Sequence, residues 1–229
     1  AAADGFSENL DATAIGVVSG SLTAVSGTAG LVAAGTANTT DATFSFATAN
    51  AGTVTGTIAV AVTSDGSGVD TLGTTALGTV DVPVSVVIDN YATTAVQQAG
   101  GSGTLTAAGT VYTLDLGSFV VGSGTIADNL NIANVASGPA DWLTGSLIAS
   151  GGTAFSDTGL GVVGTLQAGA TAPVTVDLST ANVGVFSQTL TLTSTGANGS
   201  GYSAALATET VVVTGTVLPT TSLAQATIN

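Results

Sequence analysis

Between Thr113 and Asn134 (TLDLGSFVVGSGTIADNLNIAN) apolar residues alternate with small or polar ones. Leu114, Leu116 and Phe119 lead into Gly122-Ser123-Gly124, and Leu130 and Ile132 lead out. Alternation with a period of two marks a half-buried strand, so this stretch predicts two strands joined by a glycine turn. The same pattern runs through Thr43–Phe46, through Thr53–Thr63 with Ile58, Val60 and Val62 on one face, and through Asp81–Ile88. Pro83 places the last of these at a sheet edge or a bulge, because proline brings no N–H to a ladder. Val17–Ser26 and Gly30–Ala34 are expected as short strands, and Phe6 and Leu10 as the buried residues of the opening segment. No helical period lasts beyond a turn or two. Many short strands with frequent turn signals predict an all-β sandwich or barrel.

The chain also repeats itself. Leu31–Ala37 matches Leu166–Ala172, and Thr48-Ala49-Asn50-Ala51-Gly52 matches Thr180-Ala181-Asn182-Val183-Gly184. Thr57-Ile58 and Val60 fall on Thr189-Leu190 and Leu192, and Val82, Val84 and Ile88 on Val211, Val213 and Val217. The offset is 135, then 132, then 129 residues, and both changes fall in loops, where insertions are tolerated. Two similar units of about 100 residues each predict two tandem immunoglobulin-like β-sandwich domains. The expected division is 1–88 for an incomplete first sandwich and 89–109 for a linker, most flexible at Gly100–Gly103. A complete second sandwich is expected over 110–217 and a tail over 218–229. Nothing in the first unit corresponds to the Thr113–Asn134 strand pair, so that unit is expected to lack its opening strands. A sandwich without them exposes an apolar groove and open edges that bind another strand. The tail, with Leu223 and Ile228, is the candidate donor, and Phe6 and Leu10 line the expected acceptor. The eleven residues after Leu218 suffice for one strand and hardly for two.

Composition narrows function further. Lys, Arg and His are absent against fourteen Asp and Glu, giving a formal charge of −14. Phosphate contacts need Lys or Arg, so nucleic acid is excluded as a partner, and anionic membrane surfaces are disfavoured. No apolar run approaches the roughly 20 residues of a membrane helix, so direct membrane insertion is not expected. Cysteine is absent, which removes disulfides, thiol nucleophiles and zinc–thiolate sites. The opening Ala1-Ala2-Ala3, without Met, reads as the product of processing. A chain without Lys or Arg also offers trypsin-like proteases no cleavage site.

Asp115-Leu116-Gly117-Ser118-Phe119-Val120-Val121-Gly122 followed by Leu130-Asn131-Ile132-Ala133-Asn134 resembles the opening of the choice-of-anchor D repeats of bacterial surface proteins, which are related to hydin-type immunoglobulin-like domains. Ala3–Glu8, Ser64-Asp65-Gly66 and Leu72–Leu77 are similar to pieces of repeats in exported autotransporter-type proteins. The resemblance implies a secreted or surface-displayed structural role and carries no catalytic residues with it.

Candidate chemistry is sparse. General acid–base and covalent catalysis lose His, Lys and Cys, leaving only carboxylates: Asp4, Glu8 and Asp11, or Asp65 and Asp70. Such residues in Gly/Ser-rich β proteins are usually solvated turn residues, so no enzyme is expected and no cofactor is required. Asp65 and Asp70, in Ser64–Asp70, bring two carboxylates and several carbonyls into a tight turn, a candidate calcium loop. The same residues fit an ordinary β-turn. Trp142 is expected in a core or between domains, and Tyr91, Tyr112 and Tyr202 are too scattered along the chain to form a sugar platform. The reading that follows is a structural subunit of an extracellular bacterial fibre or surface assembly. Copies join head to tail through strand complementation of the first unit. The alternative is an adhesin or carbohydrate-binding module.

Overall fold

The computed structural model describes residues 7–38 and 42–221, and every regular element in them is a strand. The chain divides into two units, Ala1–Asp89 and Asn90–Asn229.

The first unit holds β1 (Asn9–Gly20), β2 (Leu22–Val32), β3 (Ala42–Phe46), β4 (Gly52–Asp65) and β5 (Thr74–Ile88). They form one antiparallel sheet in the order β3-β2-β1-β4-β5. Ile58 lies opposite Val82 on one side and Val17 on the other, and Leu10 opposite Val32. That register gathers Leu10, Val17, Val32, Ile58, Val60, Val82 and Val84 on one face, because side chains alternate along a strand. Thr53, Thr55, Thr57 and Ser85 take the other. Ile58 and Ala59 are the buried apolar residues among those described here, while Val17, Val80 and Val82 stay exposed. The unit is one layer of a sandwich. Pro83 sits in β5, an edge strand, as expected.

The single strand expected over Val17–Ser26 is instead divided by a turn at Gly20-Ser21, and β1 and β2 extend well beyond the expected short strands on either side. β1 pairs with β4 along its whole length but slips register at Ala14/Gly16 and again at Val17/Ser19. These bulges break the alternation that a sequence reading follows. At Gly20 (φ +94°) a Cβ would strike the Thr55 carbonyl, so the turn into β2 requires glycine.

The second unit holds β6 (Thr94–Gly101), β7 (Thr104–Ala108), β8 (Val111–Val120), β9 (Thr125–Asn134), β10 (Trp142–Ser150), β11 (Phe155–Thr158), β12 (Gly161–Leu166), β13 (Thr171–Ser179), β14 (Gly184–Ala197), β15 (Ser203–Ala205) and β16 (Glu209–Leu218). One sheet runs β12-β10-β14-β16-β8-β7 with β15 on β14, the other β11-β13-β9-β6. All pairs are antiparallel except β8 beside β16. Leu114 and Leu116 of β8, Leu130 and Ile132 of β9, Val174, Val176 and Leu178 of β13, Leu190 and Leu192 of β14, and Val211 and Val213 of β16 meet between the sheets. Each such side chain contributes about 1.5–3 kcal/mol. This is an immunoglobulin-like sandwich, and β8–β9 is the strand pair that the alternation predicted.

The linker expected over residues 89–109 is not one. β6 is the edge of the four-stranded sheet and β7 pairs with β8, so the second unit starts about twenty residues before position 110. The glycines are there for packing. Asp128 is fully buried and accepts hydrogen bonds from the Gly103 N–H (2.8 Å) and the Gln98 amide (3.1 Å to each oxygen). A Cβ on Gly101 would collide with that carboxylate. Gln98 also donates to the Gly103 carbonyl at 2.8 Å and accepts from the Leu105 N–H at 3.2 Å. A turn tied at this many points is not a tether.

Candidate assembly surface

Strand pairing turns the sequence repeat into a structural one. β4 and β14 match residue for residue, Gly52–Asp65 on Gly184–Ala197. Ile58 opposes Val82 as Leu190 opposes Val211, and Gly52 opposes Ile88 as Gly184 opposes Val217. The order β2-β1-β4-β5 therefore reproduces β12-β10-β14-β16. One match moves by a residue. Leu143 faces Leu166 where Leu10 faces Val32, so Val32, not Leu31, is the counterpart of Leu166. A one-residue slip puts a side chain on the opposite face, and Leu31 is indeed exposed.

The equivalence shows what the first unit lacks. On the far side of β16 lies β8, parallel to it, with Tyr112 beside Val211, Leu114 beside Val213 and Phe119 beside Val217. On the far side of β5 no strand stands among the described residues. The consequence is direct: Val82 is 41 % exposed and its counterpart Val211 is 1 % exposed. A proline fits the β4–β5 ladder where its missing N–H would face away from β4, toward this open edge, so Pro83 withholds one donor there.

Leu10 lies in β1 on the apolar face, half-buried, where Leu143 of the second unit is fully buried. Phe6, Leu223 and Ile228 lie outside the described residues. β16 ends at Leu218, and Val120, Leu218, Pro219, Thr220 and Thr221 border a hollow of about 480 Å³ at that end.

The Asp65–Asp70 loop uses its carboxylates as turn caps. Asp65 Oδ1 accepts from the Ser67 N–H at 2.8 Å, and Asp70 Oδ1 from the Leu72 N–H at 2.9 Å. The Ser67 hydroxyl and N–H hold the Asp65 carboxyl below its ordinary value of 3.8. Calcium takes six to eight oxygens, and among the described residues no three acidic, His or Cys side chains gather to hold a metal. Glu8 accepts a hydrogen bond from the Ser64 hydroxyl, and Asp11 Oδ1 is buried without a hydrogen-bond partner among the described residues. Asp4 lies outside the described residues.

Two carboxylates that composition did not single out sit in β11 and β13. Asp157 lies opposite Val176, and Asp177 opposite Ser156, so the two point to opposite faces and do not form a catalytic pair. Burial raises the Asp157 carboxyl above its ordinary 3.8, against the Gln188 hydrogen bond (2.9 Å), with the Asp177 charge adding to the rise.

Asn134, the last residue of the Leu130–Asn134 motif, is fully buried and ties three loops together. Its amide donates to the carbonyls of Asp141 (3.0 Å) and Leu166 (3.1 Å), and its Oδ1 accepts from Thr93 and Ala136. Asp141, also buried, accepts from the Asn198 amide at 2.8 Å. Trp142 follows in β10, half-buried and opposite Ala197, while Leu143 enters the core.

The tyrosines are less scattered than the sequence suggested. Tyr91 and Tyr202 stand ring to ring, centroids 5.5 Å apart and tilted by 40°. Partial desolvation, then Tyr91 and Asp141, raise the Tyr202 phenol above its ordinary 10.0. A hollow of about 380 Å³ opens beside Tyr91, lined by Asn90, Thr93, Val135, Ala136 and Ser137. Tyr112 is apart from them, in the core, its hydroxyl accepting from the Val96 N–H. Only the fold unites Tyr91 and Tyr202, which no local sequence signal could have paired.

No protein-family model matches the chain, and no curated protein matches it. Among solved structures it is similar to the ASH/PapD-like domain of human CEP192 (PapD-like domain 7). The likeness is 10 % identity over 56 % of this chain and 87 % of that one, with a TM-score of 0.38. It is also similar to CfaE, the adhesive subunit of the CFA/I fimbria of enterotoxigenic Escherichia coli. Here the identity is 9 %, the coverage 95 % of this chain and 89 % of that one, and the TM-score 0.37. Likenesses this distant assign neither partner nor activity.

Proposed function

We propose that the chain is a structural subunit of an extracellular bacterial fibre or surface assembly. In that assembly the first unit is completed by strands of a neighbouring subunit, head to tail. The observation that supports this most is the repeat itself. The same strands in the same order have a fully buried apolar face in the second unit and a partly exposed one in the first, with Val82 41 % exposed. An uncovered valine face beside an open strand edge favours association. No side chain is cationic, so contact between copies rests on backbone pairing and apolar burial, which must outweigh the repulsion of a net charge of −14. The reading assigns the chain no catalytic role, and the resemblance to choice-of-anchor D repeats supports a place outside the cell. No helix of the described residues is long and apolar enough to cross a membrane.

Sedimentation of the purified chain across a wide concentration range tests this. The expected result is concentration-dependent assembly, visible as filaments by electron microscopy and lost in a chain reduced to residues 90–229. A full-length chain that stays monomeric and folded at high concentration refutes it. Removing residues 219–229 shows whether the tail takes part.

A second reading, as a carbohydrate-binding surface module, is favoured by the Tyr91–Tyr202 pair. Tyr91 is 69 % exposed, beside a hollow lined by Asn, Thr and Ser. Exposed tyrosine with small polar neighbours is a composition suited to binding surfaces. Glycan-array signal abolished by Tyr91→Ala or Tyr202→Ala supports that reading, and a blank array removes it.

A further inference from the structure

β3 lies where its counterpart does not. Carrying the offset of the Thr48–Gly52 turn back through the preceding strand aligns Ala42-Thr43-Phe44-Ser45-Phe46 with Val174-Thr175-Val176-Asp177-Leu178. In the second unit those residues belong to β13, which lies in the opposite sheet from β12 and pairs with β9 and β11. Val176 and Leu178 are fully buried there. In the first unit β3 pairs with β2 at the edge of the single sheet. Phe44 is 44 % exposed and Phe46 half-buried, their ring centroids 6.4 Å apart. Two aromatic residues thus occupy core positions of the repeat without being fully buried.

We infer that the first unit is the acceptor for a two-strand ribbon of the β8–β9 pattern, carried by another polypeptide built from this repeat. When the ribbon docks, β3 leaves β2 and pairs with the ribbon's second strand. This deepens the fibre reading and rests on it. The second unit supplies the template. The ribbon's first strand runs parallel to β5 and places residues of the Tyr112, Leu114 and Phe119 kind beside Val82, Val84 and Ile88. Its second strand runs antiparallel to β3, as β9 does to β13, where Val174, Val176 and Leu178 face Leu130, Asp128 and Ile126. The backbone exchange is nearly even, since the β2–β3 ladder is replaced by an equivalent one. Apolar burial then decides the direction, because Phe44, Phe46 and the exposed part of the valine face are fully covered only in the docked state. A single strand such as residues 219–229 could form would fill the edge of β5 and leave β3 without a partner in the second layer.

The test uses the full chain and a synthetic peptide of residues 110–134, with a scrambled peptide and a peptide of residues 218–229 as controls. The chain has no cysteine, so a Ser26→Cys/Thr43→Cys variant carries one possible bridge. The two residues face each other across β2 and β3, their hydroxyls 3.1 Å apart. A Phe44→Trp/Trp142→Phe variant reports on β3. The expected results are saturable binding of the 110–134 peptide, a blue shift of the residue-44 emission, and at least tenfold weaker binding to the bridged variant, restored by reduction. Amide exchange in the unaltered chain, with β2 losing protection and β3 keeping it, is the readout that needs no substitution. Equal binding to bridged and reduced forms overturns the movement of β3. No peptide binding by a chain that still self-associates through its first unit overturns the ribbon, as does a full shift with the 218–229 peptide alone. A chain that binds the ribbon yet never self-associates counts instead against the fibre.

Discussion

Val211 and Val82 hold the same place in the repeat, and truncating each to alanine should cost different amounts. Val211 is 1 % exposed, between Leu190 on β14 and Tyr112 on β8. Losing the equivalent of two methylene groups forfeits about 1.6 kcal/mol of transfer free energy at ~0.8 kcal/mol each. The cavity left in a two-sheet core adds roughly 1 kcal/mol, for a total of about 2.5 kcal/mol. Val82 is 41 % exposed on an uncovered face, so little more than half of the transfer contribution applies and no enclosed cavity forms. The expected cost is ~1 kcal/mol or less. Urea unfolding separates the two. Trp142, the sole tryptophan, reports on the second unit, and amide exchange of β4 and β5 reports on the first. With a slope of about 1–3 kcal/mol per molar urea, Val211→Ala should lower the midpoint of the second unit by roughly 0.8–2.5 M. Equal losses for the two substitutions, or a larger one for Val82→Ala, would refute the claim that the first unit has an open face. Filling that face should raise the cost at Val82 toward that at Val211.

Further expectations concern the polar groups. Glu209 is 6 % exposed, its Oε2 has no hydrogen-bond partner among the described residues, and burial raises its carboxyl above the ordinary 4.5. Between the unfolded and folded values the native state holds the extra proton, so this contribution is complete below about 4.5 and is lost as pH rises through the folded value. Glu209→Gln should therefore stabilise the second unit at pH 7, with the gain over the parent vanishing near pH 4 in melting curves. Asn134→Ala leaves the Thr93 and Ala136 N–H groups and two carbonyls without their partner. It should destabilise the second unit by roughly 2–4 kcal/mol in urea unfolding, the cost of stranding buried polar groups. Asp65→Asn with Asp70→Asn should leave the melting temperature unresponsive to calcium or chelator, as in the parent chain. A calcium-dependent shift in the parent that the double variant loses would restore the metal reading of the loop.

Much of the fold was legible because side-chain alternation and the repeat carry it. Leu114, Leu116, Leu130 and Ile132 announced β8 and β9, and the valines of Asp81–Ile88 announced the end of β5. What escaped was set by distant partners. Gly100–Gly103 has a linker's composition, and only Asp128 and Gln98, buried around it, show it to be a fixed turn. β1 was hidden by its own bulges, which break the period that reveals a strand. The opening-strand deficit was visible as an unmatched stretch, but that Phe44 and Phe46 lie beside β2, unlike their counterparts in β13, could be seen only from pairing. Tyr91 and Tyr202 meet because Asn90 and Asp141 join backbones at 2.9 Å near the Asn198 turn, a contact no spacing encodes.

The parallel course of β8 beside β16 has a last consequence. A strand inserted next to β5 in that manner would travel in the same sense as its host, and because donor and acceptor are different parts, successive members of the proposed array would all point one way. Such a tape would have polarity: an empty socket at one extremity and an unused plug at the other. A blocker of one extremity would stop elongation there without touching the other.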